Sequence, residues 1–197
     1  MIFFHWLFGS IGMCLGYHRL LTHRSFSVPK WLEYIVTPCR ARVTIFWVAT
    51  HRIDHAYTED EDNDPYSARR GFWWSHRLWL FYVRDEFFNY SCYKKFAPDL
   101  DRDFYHRWLN RNYLLLQILF GVLLYGLGGW DFVIYGLFLR SVLLWHSTWL
   151  INSASHLRGY RNFSVADGSR NLWWAALLTY REGWHNNHHA CPNVATG

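Results

Sequence analysis

Two apolar runs stand almost back to back in this chain, and they limit what it can fold into. YLLLQILFGVLLYGLGG (Tyr113–Gly129) carries no charge, and FVIYGLFLRSVLLWHSTWLI (Phe132–Ile151) is interrupted only by Arg140 and His146. A bilayer-spanning helix needs roughly 20 such residues. Between the runs, Gly128-Gly129 supplies a turn and Trp130 an interfacial anchor. The pair reads as a helical hairpin that returns the chain to the side it left. Everything before Arg111 and after Asn152 then lies on one face. The segment from Arg52 to Arg111 holds ten Lys and Arg residues, which makes that face cytoplasmic by the positive-inside rule. The alternative is a pair of buried core helices in a soluble protein.

A third apolar run, Ile2–Tyr17, falls short of spanning length and has neither the basic start nor the small-residue cleavage site of a signal peptide. The expected fold class is all-α: an integral membrane protein of transmembrane helices with cytosolic and interfacial helices. Glu59–Ser67 reads as a loop closed by Pro65, Gly71–Tyr113 as interfacial helices, and Leu172–Tyr180 as a short apolar helix. Of 197 residues, 13 are Trp, which suits a chain with a long boundary between apolar and polar surroundings. The net charge of +5 comes from basic residues mixed with acids, not from a polybasic run. That pattern suits anionic lipid headgroups and argues against nucleic acid. The four cysteines form no CxxC pair and read as reduced thiols.

The histidines carry the chemistry. Twelve are present, and most are clustered: His18 and His23 in HRLLTH, His51 and His55 with Asp54 in HRIDH, Asn152 and His156 in NSASH, and His185, His188 and His189 in HNNHH. Spacings of three and four place side chains on one helix face. The last three clusters therefore each project together, whereas His18 and His23 need their helix to end or bend between them. Three histidines in five residues have no packing rationale. The set offers more ligands than one ion takes and suits two. Imidazole alone does not choose among iron, zinc, copper and nickel. His5, His76, His106 and His146 read as ordinary interface or core histidines.

These boxes resemble the membrane fatty acyl desaturases of the delta-9 acyl-CoA and acyl-lipid type. GYHRLLTHRSF is similar to their first histidine box, FWVATHRIDHAYTEDEDNDPYSARRGFWWSH to their second, TWLINSASHLRGYRNF to the segment carrying a further ligand, and EGWHNNHHACP to their third. The resemblance covers nearly the whole chain as one desaturase-like domain, 1–197, and implies two iron ions as cofactors. One iron would take His18, His23, His51, His55 and His189. The other would take Asp54, His156, His185 and His188, with Asn152 acting through water. It implies dioxygen-dependent introduction of a cis double bond into a saturated fatty acyl chain, which lies in an apolar tunnel with Trp149 on its wall. It also implies an external electron donor, a small ferredoxin or a haem protein, and contact with membrane lipid.

Several positions depart from the family pattern. Asp54 stands where the family has histidine, Arg40 and Arg42 where it is apolar or small, and Arg181 where it is small. The family's N-terminal hairpin and C-terminal segment are expected to be incomplete here. A lipid or alkane hydroxylase on the same scaffold and an inactive relic are the alternatives.

Overall fold

The computed structural model describes residues 2–39, 43–82, 84 and 88–194. Arg40 and Arg42 lie outside the described residues. The fold is helical, and among the described residues the only β-pairing is a pair of isolated bridges from Asn171 to Tyr160 and Trp184.

The first helix begins as α1 (Ile2–Leu7) and continues in the wider π form over Phe8–Thr22. After α2 (Lys30–Val36) comes α3 (Thr44–Tyr57), which packs along the π segment. Short helices α4 (Phe72–His76), α5 (Tyr90–Tyr93) and α6 (Pro98–Arg102) follow. They lead into α7 (Phe104–Val133), a short π segment (Ile134–Leu139) and α8 (Arg140–Leu157). The chain ends with α9 (Trp173–Leu178) and α10 (His185–Ala190).

The hairpin forms as the sequence suggests. Helical geometry breaks at Gly128 (φ −163°, ψ 22°) and Gly129 (φ 66°, ψ −155°). The second pair lies in a region open essentially to glycine alone. Beyond the break the chain doubles back. A methyl group added at Gly121 would come within 3.3 Å of Leu137, and one at Gly136 within 3.2 Å of Leu124. The arms are therefore antiparallel about Gly129. Asp103 caps the N-terminus of α7, its side chain accepting from the Tyr105 amide at 2.9 Å. The helix thus starts nine residues before the apolar run.

Only 6% of the most apolar window in this hairpin is buried, although its mean hydropathy is 1.6. Leu114, Val122, Leu127 and Phe138 all face outward. A soluble core helix would hide these residues, so the reading of this pair as buried core helices fails. Arg140, the charge inside the Phe132–Ile151 run, is turned inward. It is buried, its guanidinium lies 4.4 Å from the Phe8 ring centroid, and its Nε donates to the Gly136 carbonyl at 2.7 Å.

The core lies between the first helix and α3. Met13, Tyr17, Leu20 and Leu21 meet Ile45, Trp47, Val48 and Ala49, and Tyr93, Ala97 and Leu100 close one side. Burying Ile45 or Val48 fully contributes about 1.5–3 kcal/mol each. A polar lock holds the same two helices in register. Arg52 on α3 donates to the carbonyls of Leu21 (2.7 Å) and Thr22 (3.2 Å), which the first helix leaves unsatisfied at its C-terminus. It also grips both Asp99 oxygens, at 2.6 and 3.0 Å. Burial pushes the Asp99 carboxyl upward, but Arg52 and Arg24 outweigh it and hold the group below the usual carboxylate range. Arg52→Ala strips partners from a partly buried carboxylate and two helix-end carbonyls. A loss of about 2–3 kcal/mol follows, read as a lower unfolding midpoint in detergent.

Candidate metal centre

Four chain segments deliver imidazoles to one buried place. The end of the first helix brings His18 and His23, α3 brings His51 and His55, and α10 brings His185, His188 and His189. α8 adds His156 from the polar end of the hairpin. His18 and His23 meet in a way the spacing alone did not specify. In π winding the amide of residue i+5 bonds the carbonyl of residue i. The His23 amide bonds the His18 carbonyl at 3.1 Å, and the helix proper ends at Thr22. Their ring centroids are 4.7 Å apart.

The ligand atoms form two groups. His18, His23, His51, His55 and His188 offer nitrogens within 4.8 Å of one another, and so do His156, His185 and His189. Asp54 lies between the groups, its carboxylate within 4.8 Å of His55 in the first and His189 in the second. The Nε2 atoms face inward. His188 Nε2 lies 3.2 Å from that of His18 and 3.1 Å from that of His55, and His156 and His185 meet at 2.9 Å. Among the described residues, the Nε2 atoms of His23, His51 and His189 are buried without a hydrogen-bond partner. Nitrogen lone pairs aimed at each other in a buried site form a donor set for metal ions. The residues present fit a pair of them.

One expectation is corrected. The resemblance assigned His189 to the first ion and His188 to the second, and the geometry reverses the two. Adjacent residues on α10 point in different directions, so His188 turns to His18 and His55 while His189 turns to His185, at 4.3 Å between ring centroids. Asn152 is half-buried. It lines a cavity together with His18, His51 and His185, on the same side as Trp149, Trp47, Met13 and Ile151. Trp149 is buried in that apolar wall, with its ring in edge contact with His146 at 5.2 Å.

The outward Nδ1 atoms meet groups that the histidine pattern did not reveal. Glu182 Oε2 lies 2.9 Å from His18 Nδ1, Asp167 Oδ2 2.9 Å from His189 Nδ1, and Glu59 Oε1 3.3 Å from His156 Nδ1. The Tyr66 hydroxyl is 3.2 Å from His51 Nδ1. A carboxylate on the far nitrogen fixes the tautomer and aims Nε2 at the metal. Glu182 stands three residues before His185, in EGWHNNHHACP, but its position there does not point to His18. Glu59 sits in an acidic run that reads only as a loop, and nothing in the spacing links Asp167 to His189. Gly168 lets Glu59 approach: its amide donates to Glu59 Oε1 at 2.6 Å, where a side chain would collide.

The four histidines read as ordinary stay outside both groups. His76 and His146 bond each other at 3.0 Å, and His5 meets the Tyr180 hydroxyl at 2.7 Å. His106 bonds Glu33 at 2.8 Å, where the Lys30 ammonium, 2.7 Å from the same carboxylate, already supplies a cation.

Burial sets the electrostatics. It holds His51, His55, His185 and His188 well below the ordinary imidazole pKa, and neighbouring imidazoles add to the effect. These rings are neutral and ready to ligate. Burial, with Asp64 and Asp167 nearby, pushes the Asp54 carboxyl well up. The Asp167 carboxyl is raised by burial but held below its usual range by the His189 hydrogen bond.

Two outcomes follow. Asp167→Asn lowers metal affinity by about 10–100-fold, measured by competition with a chelator. For the metal-free protein, the unfolded chain binds protons below about pH 6.5 that the neutral buried rings refuse. Stability therefore rises with pH through that region, and the unfolding midpoint of apo-protein falls on acidification from neutral pH to about pH 5.5.

The fatty acid desaturase family profile matches residues 1–196. The chain is 64% identical, over 99% of its length, to the sn-2 palmitoyl-lipid 9-desaturase of Nostoc sp. (strain 36), and spans 70% of that protein. It is 46% identical, over 94% of its length, to the sn-1 stearoyl-lipid 9-desaturase of Anabaena variabilis, and spans 68% of it. It is 43% identical, over 95% of its length, to the delta-9 acyl-lipid desaturase 1 of Arabidopsis thaliana, and spans 62% of it. The chain belongs to the fatty acid desaturase family, whose all-helical integral membrane fold its exposed hairpin and histidine clusters express.

Proposed function

We propose that this protein introduces a cis double bond into a saturated, lipid-linked fatty acyl chain, using dioxygen at a di-iron centre on the cytoplasmic face of the membrane. The observation that carries this reading is the convergence of two groups of inward-facing imidazoles at the end of an apolar cavity. The relatives named as lipid 9-desaturases support the substrate class. The basic segment before the hairpin supports the cytoplasmic assignment.

A methylene pair in mid-chain has no acidic proton and no leaving group. The overall change is R–CH2–CH2–R′ + O2 + 2 e⁻ + 2 H⁺ → R–CH=CH–R′ + 2 H2O, with both electrons from an external one-electron carrier. Iron bound at the two groups supplies the dioxygen chemistry. His18, His23, His51, His55 and His188 would hold one ion, and His156, His185, His189 and Asp54 the other, with Asn152 on the wall of the adjoining cavity. Trp47, Trp149, Met13 and Ile151 wall the cavity, exclude water and lay the chain beside the metals. Asp167 and Glu59, hydrogen-bonded to the Nδ1 atoms of His189 and His156, hold protons there, so those two Nε2 atoms keep their lone pairs for an ion.

One observation favours a second reading, an inactive relic. Asp54 is a buried carboxyl whose pKa burial has raised, and a neutral carboxyl is a poor ligand. Expression in a host that lacks its own desaturase, followed by fatty-acid profiling, separates the cases. The expected result is new cis-monounsaturated chains and about two irons per chain in the purified protein. Product found only with Asp54→His establishes the relic, and an alcohol in place of an alkene establishes a hydroxylase. Purified protein with intact histidines and no affinity for iron sinks the di-iron reading.

A further inference from the structure

The cavity beside the metal groups has a far end that the histidine chemistry does not use. The first helix lines it with His18 and Met13, and the chain after α9 lines it with Thr179 and Tyr180. The Tyr180 side chain is buried and reaches one turn further from His18 than Met13 does. Its ring fills the place where a side chain at Gly9 would stand, and its hydroxyl meets His5 Nε2 at 2.7 Å. Gly9 stands nine residues before His18, so the ring lies at most about 14 Å along the helix axis from that imidazole.

Two features mark this contact as more than packing. Tyr180 has a φ of 58°, in the left-handed region that a bulky side chain rarely enters. Such a backbone persists only where the surroundings impose it. Two residues on, Glu182 meets His18 and Cys14. One turn therefore seats the Tyr180 ring on the first helix and delivers a carboxylate beside a metal-facing imidazole. The second feature is His5. It stands inside the apolar run Ile2–Tyr17, where an ionisable side chain is costly in a bilayer and marks a task.

We propose that Tyr180, seated on Gly9 and held by His5, is the floor of the acyl cavity and limits how much chain extends past the metals. The inference rests on the desaturation reading and adds to it a residue that sets acyl length. The ester and headgroup of a lipid-linked chain are polar and stay at the membrane surface, on the side of the imidazoles. The methyl end is apolar and enters the cavity first. Met13 and Trp149 flank its path, and the Tyr180 ring stops it. A chain too long for that stop cannot bring its mid-chain methylenes to rest beside His18 and His185. The His5 bond keeps the ring from swinging aside, and glycine at position 9 leaves the ring its seat.

Two measurements test the floor. In a host that lacks its own desaturase, myristic, palmitic, stearic and arachidic acids are supplied and the monounsaturated products profiled. Tyr180→Ala raises the ratio of stearic to palmitic products at least about tenfold over wild type, the discrimination a methylene or two gives an apolar pocket. Gly9→Leu added to Tyr180→Ala refills the space and moves the ratio back. An unchanged ratio in active Tyr180→Ala overturns the proposal. The second measurement needs no turnover. Wild-type protein in phosphatidylcholine nanodiscs is irradiated with a phosphatidylglycerol whose palmitoyl chain carries a diazirine on its last methylene, and the labelled residues are mapped by mass spectrometry. Label at Tyr180 is expected; label confined to the outward face of the hairpin overturns the proposal. A protein that labels Tyr180 but makes no alkene keeps the floor and fails the desaturation reading. One that makes alkene without the length shift keeps that reading and loses the floor. Should Tyr180→Ala unfold, the labelling of wild type decides alone.

Discussion

The structure depends on keeping eight imidazoles close together out of water. Charged, they would repel one another and resist burial. Neutral, each still needs its N–H satisfied and its lone pair aimed. For four of the eight, the fold places a partner beside the outward nitrogen. Glu182, Asp167, Glu59 and Tyr66 occupy the outward Nδ1 atoms of His18, His189, His156 and His51. Without that outer ring the tautomers would be free, and the inward geometry would have no cause. The ring is drawn from loops and helix ends far apart in sequence, so the cluster and the tertiary fold specify each other.

The hairpin serves the same end from the other side. It holds α8 so that Asn152 and His156 emerge where α10 arrives, and it brings Trp149 against the cavity. Arg52 fixes the remaining angle by tying the end of the first helix to α3 and to Asp99 on α6. The apolar walls of the cavity meet the imidazoles at His18, His51 and His185.

Much of this was written in the sequence. The hairpin was legible because Gly128-Gly129 stands between two long, largely apolar runs. The three helical clusters were legible because spacings of three and four have one geometric meaning on an α-helix. His18 and His23 were harder, since their spacing of five fits a different winding that composition does not announce. The exchange of His188 and His189 shows a second limit: spacing tells which residues share a face, but not which neighbour each will meet. The outer carboxylates were the least visible. Asp167 and His189 are brought together only by the return of the chain through Asn171, whose side chain bonds the start of α10. Such a contact belongs to tertiary structure and leaves no local trace.

The π winding of the first helix has one more consequence. A π turn holds more residues than an α turn and rises less per residue, so the segment Phe8–Thr22 is shorter and broader than its length suggests. Returning one such turn to α form would lengthen the rod and swing His18 around its axis while α3 and α10 stayed in place.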